Sequence, residues 1–497
     1  MKITLAKPLT VAELARMAGG RLQPGENSLP AVTHICTDSR EADGDTLFCA
    51  IRGERVDGHA YMAKAAELGC SACLCEEIPE DLPRGVTCIL VKDTVGALSR
   101  LSLSRREGDL GEMTAVAVTG SVGKTTTKEM IAAVLSAGKT VFKKEGNYNS
   151  TIGLPLSVME IPPTVDTAVL EMGMSGRGEI LSMTCGVRPD VAVIINIGSS
   201  HMELLGSREN IARAKVEIAA GLRDGGVLLL NGDEPLLRDL SGLADDLCPP
   251  IPEGISVQYL SLTGDMPADY TVSGITPADG GSYFDLTTPT ETWRRLYVPA
   301  MGEHIVWAGA FAAAVGRLCG LSEGQVREGL GAYRPAKLRQ SVRKVCGVTF
   351  IEDCYNAAPE SMAAALRVLE LTAQAKQEPH GRRIAVLGDM KELGENTVAL
   401  HREVGVAVAC SGVDRLITVG ELGAHVAAGA LEAGMAPDAV RITGEADTYP
   451  DTARRVAAEL GRGDTVLFKA SRAMTLEVLA EAIAEALTAT ENHHERE

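Results

Sequence analysis

The chain has 497 residues, more than one hydrophobic core usually serves, so roughly two to four domains are expected, each burying a core of its own. Its formal net charge of −18 excludes a protein whose main work is gripping a nucleic acid backbone, which needs a basic face; an anionic substrate must instead meet locally placed lysines, arginines or a metal ion. No window approaches the roughly 18 apolar residues of a membrane span, and MKITLAKPLTVAELARMAGG holds no signal-peptide run, so no membrane insertion and a cytoplasmic setting are expected.

In chain order, the first elements are a helix in TVAELARMAG, strands in THICTD and DTLFCAI, a helix in AYMAKAAELG, and strands in SACLCE and TCILVKD. They predict a compact α/β domain over residues 1–108. The 12 cysteines show no extracellular disulfide layout, which fits reduced thiols. Cys70, Cys73 and Cys75 read as small buried hydrophobes on a short strand rather than as metal ligands. RREGDLGE reads as a linker. From Met113 the pattern becomes MTAVAVTG, TAVLEMG, DVAVIINIG and GGVLLLNGDE, alternating with helices. Continuous apolar strands of this kind predict a parallel sheet covered on both faces, hence a doubly wound central domain over 109–333 with its ligand site at the carboxyl ends of the strands. Pro335 marks the next boundary. RRIAVLGDM, RLITVGE and DTVLFKASR then predict a second, Rossmann-like α/β domain over 334–497, and the tail TATENHHERE reads as a solvated end.

One stretch carries the chemistry. In AVAVTGSVGKTTTKEM an apolar strand runs into Gly120, Ser121, Val122, Gly123, Lys124, Thr125 and Thr126, and a helix follows. Glycines let backbone N–H groups turn toward phosphate, the helix N-terminus adds its dipole, Lys124 reaches the terminal phosphates and Thr125 can ligate Mg²⁺. The usual phosphate loop would have glycine where Val118 stands. Glu171 ends the next apolar strand; alone, it reads equally well as a solvated loop glutamate. His201 follows the third strand. A lone histidine is more often structural, but two metal-capable groups at neighbouring strand ends favour a metal site. Lys215 lies on a helix, and its spacing reads as an ordinary surface charge.

The combination TGSVGKTTTKEM, GNYNSTIGLPL, EMGMSGRGEI, NIGSSHMELLGS and AKVEI resembles the ATP-dependent Mur ligases, whose phosphate loop has this shortened TG-x-x-GKT form. IEDCYNAAPESMAAAL, LGDMKELGEN followed by His401, and GDTVLFKASRAMTLE resemble the branch that adds D-alanyl-D-alanine to UDP-N-acetylmuramoyl-tripeptide. TDSREADGDTLFCAIRGERVDGHAY is similar to that branch's uridine-nucleotide-binding domain. The resemblance covers essentially the whole chain in order.

It implies an ADP-forming amide ligase of peptidoglycan precursor synthesis, working as a monomer through an acyl phosphate. On the matching positions, Lys124, Lys215, His201 and Asn149 are implied as catalytic. Gly120 to Thr126, His304, Arg339, Asp353 and Tyr355 are implied at ATP, and Ser39, Arg40, Asn147 and Asn149 at the UDP-linked substrate. Thr125, Glu171, His201 and Lys215 are implied at Mg²⁺, with Lys215 carbamylated by CO₂. Four positions depart from the family's usual residues: Ala308 and Ser150 stand for Asn, and Leu338 and Ala470 for Gly. A ligase with another amine or acceptor, and a non-catalytic nucleotide-binding relative, are the alternatives.

Overall fold

Three sheets organise the chain, and alternation along their strands decides where each core lies. The computed structural model describes residues 1–23, 31–53, 55–245, 250–278, 280–375, 381–443 and 448–494. The first sheet has six strands in the order Lys2–Thr10, Ala31–Cys36, Thr46–Cys49, Ala72–Cys75, Thr87–Leu90 and Arg21–Gln23. Its outermost pairings are antiparallel and its inner ones parallel. The helix Val11–Ala18 starts on a reciprocal cap, in which Thr10 accepts from the Glu13 N–H while the Glu13 carboxylate accepts from the Thr10 N–H. It stops at Gly19, whose φ of 65° suits a residue without Cβ. Cys70, Cys73 and Cys75 are buried, and hydrogen bonding to Cys70 and to Cys88, then burial, push the Cys73 and Cys75 thiols up.

Nine strands form the central sheet. Thr114–Thr119 lies between Thr167–Glu171 and Val191–Ile194, and Val227–Asn231 follows outward, all parallel. Val116 and Val118 point into a core shared with Phe311 of the helix Glu303–Leu318. Ala115 and Ala117 point into the opposite core with Ile180 and Ile211. That period-two split is why these strands are apolar without interruption. An antiparallel ribbon, Tyr270–Ala278, Gly281–Thr287 and Thr292–Val298, extends one edge. The third sheet runs Ser341–Val345, Val348–Glu352, Thr465–Lys469, Arg383–Gly388, Arg415–Val419 and Val440–Thr443, parallel after its first hairpin. No helix among the described residues is long and apolar enough to cross a membrane.

One reading of the sequence needs correction and another a refinement. RREGDLGE is not a free linker: Arg105 and Arg106 close the helix Thr94–Glu107 and are buried. Arg106 donates to Val187 O at 3.1 Å and to Asp190 Oδ2 at 2.7 Å. Arg105 donates to Ile161 O at 2.9 Å, so this charged run ties the first unit to the central sheet. The tail is solvated as expected, with Thr488, Ala489 and Thr490 exposed, but it is helical. Its helix, Leu476–His494, carries TATENHH within it, and the last three residues lie outside the described residues.

Asp190→Ala is expected to lower unfolding stability by about 3 kcal/mol, because it leaves the Arg106 guanidinium, 2% exposed, without its counter-charge. The carbonyl acceptors that remain keep the loss at the lower end of the range. A urea-unfolding midpoint measured against the unaltered chain checks it.

Candidate active site

The strand Thr114–Thr119 hands over to the helix Lys124–Leu135 through the turn Gly120 to Gly123. A Cβ on Gly120 would meet Ile195 Cγ1 at 2.2 Å, and Gly123 has φ 84°, so both positions need glycine for different reasons. No side chain caps this helix, which leaves its leading N–H groups available to an anion. Asn196 holds the turn in place. Its Oδ1 accepts from the Ser121 and Val122 N–H groups at 2.9 and 3.0 Å, and its Nδ2 donates to Val122 O at 2.8 Å. Lys124 folds back over the loop, donating to Gly120 O at 2.8 Å and Ser121 O at 3.3 Å. Burial first, and Arg339 beside it, lower its ammonium pKa, while Glu171 works in the opposite sense.

Glu171 sits at its strand end with 8% exposure rather than on a solvated loop. Thr125 Oγ1 donates to one of its oxygens at 2.8 Å and Asn149 Nδ2 to the other at 2.9 Å. His201 lies across the same cavity. Burial, then the Lys124 and Lys215 charges, push its imidazole down to about 4, so it is neutral at physiological pH with a free ring lone pair. Its 3.5 Å approach to Glu392 is therefore a polar contact rather than an ion pair. Lys215 overturns the surface-charge reading from its spacing: it is 2% exposed on the buried face of the helix Arg208–Val216. Burial, then Lys124, hold it well below the usual lysine range.

The third sheet supplies the other wall. The Arg339 guanidinium stacks 4.0 Å from the centre of the Tyr355 ring, and the Tyr355 hydroxyl donates to Asn147 Oδ1. Asp353 Oδ2 accepts from Lys469 Nζ at 2.6 Å. Glu360 reaches back to the central sheet, accepting from Ser199 N and Oγ, each at 2.8 Å. Between the two walls lies a cavity of about 610 Å³. It brings together Ser121 to Thr126, Asn147, Asn149, Glu171, His201, His304, Arg339, Asp353 and Tyr355. Ser39, Arg40 and Lys215 are not in its lining: Ser39 is buried in a short turn of the first unit, Arg40 pairs with Asp38 at 2.6 Å, and Lys215 is buried on its helix.

Asn196, Glu360 and Lys469 were missed from the sequence. Lys469 alone left a signal, a lysine ending the apolar run TVLFK that is 2% exposed and hence needs a partner. The four departures each have a local account. Ser150 Oγ accepts from the Gly153 N–H at 3.1 Å. The Ala470 Cβ fits because it faces Gly388, which has none. Ala308 is buried at the cavity wall and offers no polar group. Leu338 has φ 63°, a left-handed conformation that disfavours any Cβ. Leu338→Gly is accordingly expected to shift stability by no more than about 1 kcal/mol, strain relief being opposed by the added freedom of the unfolded chain. Thermal denaturation reads it, and a loss above about 2 kcal/mol would mean that Leu338 contributes packing that outweighs the strain.

Comparison with known proteins follows this geometry. Residues 31–106 match the model described as Mur ligase family, catalytic domain; residues 118–315 match Mur ligase middle domain; and residues 339–472 match Mur ligase, glutamate ligase domain. A Bacillus subtilis (strain 168) protein named UDP-N-acetylmuramoyl-tripeptide--D-alanyl-D-alanine ligase is 36% identical over 96% of this chain and 98% of its own length. The chain belongs to the Mur ligase family. An Escherichia coli (strain K12) relative of the same name is 32% identical over 83% of this chain and 86% of its own. Among solved structures, MurF from Acinetobacter baumannii superposes with a TM-score of 0.84 at 28% identity, covering 97% of this chain and 100% of that one. MurF from Thermotoga maritima in complex with ADP gives 0.76 at 27% identity, covering 92% and 98%. The Mur ligase fold thus accounts for all three sheets.

Proposed function

We propose that this protein is the ADP-forming amide ligase that joins D-alanyl-D-alanine to UDP-N-acetylmuramoyl-tripeptide in peptidoglycan precursor synthesis, in the cytoplasm and as a monomer. The observation that carries the reading is one cavity bounded by an uncapped, glycine-turned helix N-terminus on one side and by Arg339, Asp353 and Lys469 on the other. A carboxylate is a poor electrophile. Transfer of a phosphoryl group from ATP makes it an acyl phosphate, which the dipeptide amine attacks with phosphate as the leaving group. Two anions must be held together for this, and the cations around the cavity supply the field.

In this reading residues 1–108, 109–333 and 334–497 are three domains. Ser39 and Arg40 of the first meet the uridine diphosphate portion, and Asn147 and Asn149 stand beside the acyl group. Gly120 to Thr126 cradle the phosphates, with Lys124 exchanging its loop carbonyls for phosphate oxygens. Arg339 faces phosphate, Asp353 the ribose, and His304 and Tyr355 the rest of the nucleotide.

The donors fit Mg²⁺: a buried carboxylate, a hydroxyl 2.8 Å from it and a neutral imidazole, with phosphate oxygens to complete the shell. Among the described residues no three His, Cys, Asp or Glu side chains cluster as a metal cage. Thr125, Glu171 and His201 would hold it, and bound there it would neutralise charge developing on the phosphoryl oxygens. Lys215, whose ammonium is disfavoured by burial and then by Lys124, is suited to carbamylation by CO₂, which would add a fourth, anionic donor.

ADP release by the purified protein with Mg²⁺ and UDP-muramoyl-tripeptide, with and without D-alanyl-D-alanine, tests the reading. Release dependent on both, with the UDP-pentapeptide mass appearing, is expected. ATP binding without release, for tripeptides carrying either lysine or diaminopimelate, would overturn it in favour of a non-catalytic relative.

A further inference from the structure

Five carboxylates line the cavity, and four of them are already engaged. Glu171 accepts from Thr125 and Asn149, Glu179 from the Ser175 and Gly176 N–H groups at 3.3 and 2.9 Å, Asp353 from Lys469, and Glu360 from Ser199. Glu392 differs. Among the described residues its carboxylate accepts no hydrogen bond, and His201 Nδ1 stands 3.5 Å from its Oε2, beyond ordinary hydrogen-bond reach. The side chain is 70% exposed, so a solute entering the cavity can reach it.

Glu392 is held in place at a cost in strain. It has φ 64°, a left-handed conformation that a side chain resists. Its turn, which follows the strand Arg383–Gly388, is pinned on both sides. The Lys391 N–H donates to Ser471 Oγ at 2.9 Å and the Ser471 N–H to Asp389 O at 3.0 Å. Two residues on, a Cβ at Gly394 would stand 3.1 Å from Glu203 Cβ, in the short helix that follows His201. The carboxylate is therefore presented at the seam where the third sheet meets the central one.

Charge decides what it can receive there. Lys124, Arg339, Lys391, Lys469 and Arg472 also line the cavity and suit the two anionic substrates of the proposed reaction. The third substrate brings an α-amino group, whose ordinary pKa of about 7.7–8.0 makes it mostly ammonium at neutral pH. A cation entering among these lysines and arginines needs an anion to meet it. We infer that Glu392 receives the ammonium of the incoming amine substrate, binds and orients it beside His201, and so selects substrates with a free amino terminus. This rests on the ligase function proposed above.

Steady-state ADP release by the full chain, with D-alanyl-D-alanine, ATP and UDP-muramoyl-tripeptide varied in turn, tests it. In Glu392→Gln the dipeptide KM is expected to rise about tenfold, the lower end for a hydrogen bond to a charged group because the carboxylate is largely exposed. The ATP and tripeptide KM values and kcat should stay within about threefold of the unaltered ones. (R)-lactoyl-D-alanine, which bears a hydroxyl where the dipeptide bears its ammonium, should inhibit the unaltered protein with a constant about tenfold above the dipeptide KM, and that gap should close to about twofold in Glu392→Gln. A dipeptide KM within twofold of the unaltered value in the variant would overturn the inference, as would a change confined to the ATP and Mg²⁺ constants, which would assign Glu392 to His201 instead. Equal constants for the dipeptide and its hydroxyl analogue in the unaltered protein would overturn it without any variant having to fold. An unaltered protein whose ADP release ignores the dipeptide would defeat the ligase reading and this one together, whereas normal turnover with an unmoved dipeptide KM defeats this one alone.

Discussion

Lys124→Met is expected to lower UDP-tripeptide-dependent ADP formation by on the order of 10³-fold while leaving the fold intact. The expectation rests on what each part of the loop does. Asn196 holds the turn through three hydrogen bonds that do not involve the lysine, so the loop keeps its shape when the ammonium is removed. Methionine keeps the apolar stem. What disappears is a cation in a buried site, where a charge acts on a developing phosphoryl oxygen far more strongly than in water. That ammonium donates to Gly120 O and Ser121 O, so binding of phosphate would exchange two neutral acceptors for charged ones. The measurement is a coupled ADP assay at saturating substrates, with the melting temperature recorded alongside. A turnover number within tenfold of the unaltered enzyme would show that Lys124 grips only its own loop.

Much of this arrangement was legible before any coordinates, and what was not follows a pattern. The central strands were visible because they are buried on both faces, which makes them uninterrupted apolar runs. The ribbon Tyr270–Ala278 to Thr292–Val298 was not, because its exposed face breaks the run with Thr, Ser and Arg. Local chemistry was legible too: the turn Gly120 to Gly123 announces itself by spacing. Long-range chemistry was hidden. Glu360 meets Ser199 across 161 positions of sequence, and nothing in either segment names the other. Burial was the main casualty for charged residues, since periodicity cannot separate an exposed lysine from one that lies on a buried helix face. Lys215 was misread for that reason, and Arg106 because its polar run was read as a linker.

Lys215→Met is expected to abolish turnover and at the same time flatten the pH dependence of stability. The two effects have one origin. In the folded chain burial and the Lys124 charge hold the Lys215 ammonium well below the usual lysine range, whereas in the unfolded chain it titrates near about 10.4. Between the lowered folded value and about 10.4 the unfolded chain binds more protons. Stability therefore rises with pH across that window, and at neutral pH this lysine disfavours folding relative to an uncharged side chain. Urea midpoints in CO₂-free buffer at neutral and mildly alkaline pH should show that slope in the unaltered chain and lose it in the variant. The neutral amine that causes the slope is also the form able to attack CO₂. In the function proposed above a nitrogen–carbon bond would form, one proton would leave, and a neutral amine would become an anion near His201. In buffer equilibrated with ¹³C-bicarbonate, one carbamate carbon signal is expected from the unaltered protein and none from Lys215→Met. Turnover retained within tenfold in the variant, or an unchanged carbamate signal, would remove Lys215 from the metal site and leave Thr125, Glu171 and His201 to hold the cation with the phosphates.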